Sequence, residues 1–179
     1  VLSERIFARL REDFITSSVR LPLSTVERAG TGDLVARTTN DIDSLAHIIR
    51  FGIPAIVVLT DKTPKDIRDE MRFIMSGYEE YEKLGLVKYV DTYSRAMGGD
   101  DADPYTTYID KPNDHEKMAE VIETTARQFK EKHEYYRLLF RSVSTLIAYS
   151  DSNAAFRFLS PMCGRRKKDQ AVSLFIVEK

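Results

Sequence analysis

Three residues stand where an apolar run ends and polar chemistry can begin: Asp61, Asp91 and Ser142. Asp61 follows Ile53 to Thr60, a run rich in β-branched residues that reads as a buried parallel strand. An aspartate at a strand end can orient water or a ligand, and it can equally close a turn. The cation beside it, Lys62, lowers a carboxylate pKa and so weakens a base. Asp91 ends a second short strand, Leu86 to Asp91, at the edge where open parallel sheets gather ligands. Its plainer use is to cap a turn. Ser142 and Ser144 follow a third strand, but no G-x-S-x-G elbow and no well-placed histidine accompany them, so helix capping is the reading there. No catalytic constellation is expected. Asp61, Asp91 and Ser142 remain the candidates for touching a nucleotide or other ligand.

Other reactive types are scattered. His47, His115 and His133 lack metal-site spacing, and no metal is expected. The single cysteine, Cys163, excludes an internal disulfide and any CxxC motif, and it suits a reducing, cytoplasmic compartment. Arg165-Arg166-Lys167-Lys168 is the densest basic cluster. It reads as a solvated helix end or an oligomer contact before a phosphate or nucleic-acid site. The net charge of −1 argues against a chain built mainly to hold nucleic acid or anionic lipid. No G-x-x-x-x-G-K-[ST] stretch occurs, so this sequence contains no phosphate-cradling loop of that kind.

The elements that must position these residues follow from pattern. Residues 3–20 carry Ile6, Leu10 and Phe14 on one stripe, an amphipathic helix that needs a surface to cover. Thr63-Pro64-Lys65-Asp66 is a strong helix start, with the helix running to about Met75. Residues 97–113 read as a loop rich in Gly, Asp and Pro. Asn113, with Glu116 three residues on, is expected to cap a long helix to about His133. Tyr136 to Phe140 and Val172 to Val177 are the third and fourth strands, with one or two helices between them. Alternation of strand and helix predicts an α/β fold, a mostly parallel sheet of four or five strands with flanking helices, preceded by helices. The longest apolar run, Phe51 to Leu59, is far short of the ~20 residues that span a bilayer, so no membrane segment is expected. The start shows no signal-peptide pattern, and the absent initiator Met suggests a fragment or a processed chain.

Two sets of words carry resemblances. Leu21-Pro22-Leu23, then Gly30-Thr31-Gly32-Asp33-Leu34-Val35-Ala36-Arg37, then Thr39-Asn40-Asp41-Ile42-Asp43 make residues 2–50 resemble the cytoplasmic coupling segment of an ABC exporter membrane subunit. Val57-Val58-Leu59-Thr60-Asp61-Lys62-Thr63-Pro64, Tyr89-Val90-Asp91-Thr92-Tyr93-Ser94, Arg141-Ser142-Val143-Ser144-Thr145-Leu146 and Gly164-Arg165-Arg166-Lys167 make residues 52–179 resemble the C-terminal part of an archaeal KaiC-like ATPase of the RecA superfamily. Together they imply a helical segment over 1–50, an incomplete RecA-like α/β domain over 53–179, and a chimera joined near residues 50–53. A natural but divergent protein is the alternative.

The KaiC-like resemblance also implies what is changed. Active members place paired Glu residues where Asp61 and Lys62 stand, and a Mg²⁺-binding Asp where Arg141 stands. An arginine cannot ligate a cation. The chain is therefore expected to be a non-enzymatic fold unit with a structural or interaction role and no cofactor. The alternatives are an ATP-binding regulatory domain of weak affinity and an exporter coupling segment on a soluble scaffold. Self-association is an open partner; nucleic acid and membrane are not expected.

Overall fold

The computed structural model describes residues 52–100 and 102–177. The expected helices before residue 50, their packing against the sheet, and the boundary near residue 50 lie outside the described residues.

Five strands form one all-parallel sheet in the order β3-β2-β1-β4-β5. In chain order the elements are β1 (Ala55–Leu59), α1 (Pro64–Ile74), α2 (Tyr78–Lys83), β2 (Val87–Asp91), β3 (Thr106–Tyr108), α3 (His115–Lys132), β4 (Arg137–Phe140), α4 (Val143–Tyr149), α5 (Ser152–Lys168) and β5 (Val172–Phe175). Every residue of β1 is fully buried, because it lies centrally between β2 and β4 and carries packed layers on both faces. That explains an uninterrupted apolar run where a half-exposed strand would alternate.

The strand side chains sort by period two into two cores. Ile56, Val58, Val90, Leu138 and Phe140 meet Met118, Ile122, Phe129, Leu146 and Phe158 from α3, α4 and α5. Ala55, Val57, Leu59, Val87 and Tyr89 meet Ile67, Met71, Met75 and Tyr78 from and beside α1 and α2. The sheet is thus sandwiched between α1–α2 and α3–α5.

Helix α1 starts as its sequence demands. The Thr63 hydroxyl accepts the Asp66 amide at 3.1 Å, the Asp66 carboxylate accepts the Thr63 amide at 2.9 Å, and Pro64 occupies the first turn. The backbone and hydroxyl hydrogen bonds from Thr63 hold the Asp66 carboxyl below its usual pKa. Because the folded value is depressed, this contribution is present above the ordinary carboxylate pKa and is lost as pH falls through the folded one.

Two expectations need correction. The stretch 97–113 is not wholly loop: Thr106–Tyr108 adds an edge strand to β2. A three-residue strand whose pairing is entirely long-range leaves no local period to read. The long helix is capped by Asp114, whose carboxylate accepts the Lys117 amide at 3.0 Å, one residue later than the expected Asn113. Either side chain could serve by type; register against the sheet decides.

Candidate functional site

Sheet order places the site. From the central β1 the chain moves outward through β2 and β3, then returns to the opposite side of β1 for β4 and continues to β5. The direction reverses between β1 and β4, and the crevice beyond their carboxyl ends is where open α/β sheets bind ligands. Thr60, Asp61 and Lys62 leave β1 there, and Arg141 and Ser142 leave β4.

These two ends are tied to each other. The Thr60 side chain, 1% exposed, reaches the carbonyls of both Arg141 and Ser142, the latter at 2.9 Å. The Arg141 amide donates to the Val58 carbonyl at 2.8 Å, extending the ladder one residue past the strand. The Arg141 guanidinium then donates through Nε to Asp61 Oδ2 at 3.2 Å, with both side chains largely buried. So Asp61 pairs with Arg141, eighty residues away along the chain. The adjacent Lys62 turns aside and pairs with Glu70.

Asp91 and Ser142 perform local work. The Asp91 carboxylate is fully buried and accepts the amides of Tyr93 at 2.7 Å and Ser94 at 2.9 Å, with the Ser94 hydroxyl on its second oxygen. It shapes the turn after β2. Ser142 caps α4 by accepting the Thr145 amide at 3.1 Å, and its φ of 55° lies in the left-handed region. A non-glycine residue there carries strain of order 1–3 kcal/mol, which the cap and the Thr60 contacts offset. The structure therefore brings Asp61, Arg141, Ser142 and Thr60 together, and it leaves Asp91 in its own turn.

This donor set does not suit a hard divalent cation such as Mg²⁺. The guanidinium of Arg141 has no lone pair to offer a cation, and it is paired with the carboxylate of Asp61. Among the described residues no group of three or more His, Cys, Asp or Glu can hold a metal ion. His115 stacks on Phe158 at 5.0 Å, and His133 meets the edge of Phe129 at 6.3 Å.

The basic run lies in the last turn of α5 and is exposed at Arg165, Lys167 and Lys168, and it departs from expectation at one residue. Arg166 is not solvated; it is 1% exposed, donates to Glu123 at 2.6 Å and lies over the Tyr136 ring. It occupies the stripe of Ala155, Phe158 and Met162, the buried residues of α5, so helical phase alone would have singled it out. Nearby, Asp169 accepts from Lys130 at 2.6 Å and from the Tyr136 hydroxyl at 2.8 Å. Burial pushes the Asp169 carboxyl up, but those two hydrogen bonds and the charges of Lys130 and Arg166 together hold its pKa below the ordinary value. A cleft of about 320 Å³ beside this cluster is lined by Glu123, Ala126, Arg127, Lys130, Glu131 and Asp169. Three of these residues are already in ion pairs: Glu123 with Arg165 and Arg166, and Lys130 with Asp169.

The fold has a known counterpart. The crystal structure of a KaiC-like protein from the hyperthermophilic archaeon Pyrococcus horikoshii superposes with a TM-score of 0.55 at 15% identity, over 79% of this chain and 57% of that one. The chain thus spans little more than half the length of that protein, and the likeness is one of fold. No curated protein sequence matches the chain. No helix among the described residues is long and apolar enough to cross a membrane. A family match, to the Family of unknown function DUF7504, covers residues 23–179. It runs without a break across residues 50–53 and gives no support to a change of parentage there or to an exporter segment. Covering most of the sequence as it does, the match means that the chain belongs to the family of unknown function DUF7504.

Proposed function

We propose that residues 53–179 act as a non-hydrolytic KaiC-like fold unit with a structural or interaction role. The observation that carries this reading is the Arg141–Asp61 pair at the β1/β4 switch point. Magnesium-assisted phosphoryl transfer needs a metal carboxylate, a positioned water and a phosphate cradle acting together. Here the switch point offers a carboxylate already neutralised by a guanidinium, and a hydroxyl directed to the backbone. A nucleotide phosphate approaching the pair would have to compete with Asp61 for Arg141 and would leave a largely buried carboxylate uncompensated. Equilibrium binding of Mg·ATP, followed by calorimetry, tests the reading. No saturation is expected up to about 1 mM, a threshold worth roughly 4 kcal/mol of affinity. Saturable binding that Arg141→Ala abolishes would instead establish an ATP-binding regulatory domain.

A further inference from the structure

We draw no further inference here: the strongest candidate, the α1–α2 side of β4 around the half-buried Arg137, whose guanidinium meets no carboxylate among the described residues, carries nothing because nothing in the structure shows what covers that face.

Discussion

Arg68→Ala is expected to cost about 3–5 kcal/mol of stability, the range for breaking a buried ion pair by removing one partner. Arg68 Nε donates to both carboxylate oxygens of Glu82, at 2.8 and 3.0 Å, and Glu82 is 2% exposed. A second guanidinium nitrogen pairs with Asp103, and the guanidinium lies 5.3 Å from the centre of the Tyr89 ring. Burial alone would lower the Arg68 pKa, but the hydrogen bonds it donates to Asp103 and Glu82, with the Glu82 charge, reverse that and hold it well above its usual value. This one side chain therefore links α1, α2, β2 and the approach to β3. Deleting it strands a buried Glu82 charge, whereas Arg68→Met with Glu82→Leu removes both charges and should recover most of the loss. Urea midpoints of the three proteins, at equal slope, give the comparison. A loss below about 1 kcal/mol for Arg68→Ala would show that water reaches Glu82 after all.

Phe140→Ala should be comparably severe, at about 3–5 kcal/mol, because the ring is fully buried and its removal leaves a cavity that rigid neighbours cannot fill. The neighbours are aromatic: Phe158 of α5 at 6.1 Å and Phe175 of β5 at 6.0 Å, ring centre to ring centre. Phe140 also directly precedes Arg141, so a shift of β4 would loosen the Thr60 and Asp61 contacts at the switch point. Phe140→Leu, which keeps most of the volume, should cost less than half as much. Thermal and urea unfolding of both variants would separate a cavity effect from general intolerance at this position. Equal losses would point to the latter.

The sequence was legible wherever structure is local. The run Ile53 to Thr60 marked the central strand, since burial on both faces leaves a continuous apolar signature. Thr63-Pro64-Lys65-Asp66 set the start of α1 almost to the residue. What stayed hidden depends on contacts distant along the chain. Strand β3 exists because β2 pairs with it, and its three residues carry no period of their own. Lys62 looked like the cation for Asp61, yet that role falls to Arg141, which only the parallel pairing of β1 with β4 brings near. Arg166 was concealed by its charged neighbours, although its place on the α5 stripe was readable.

The central claim, that the switch point closed by Arg141 and Asp61 does not support phosphoryl transfer, is tested most directly by ATP turnover. Phosphate release by the purified chain, with and without Mg²⁺, should equal the uncatalysed background and remain unchanged in Asp61→Ala. A Mg²⁺-dependent turnover that follows the protein through purification and disappears in Asp61→Ala would contradict it.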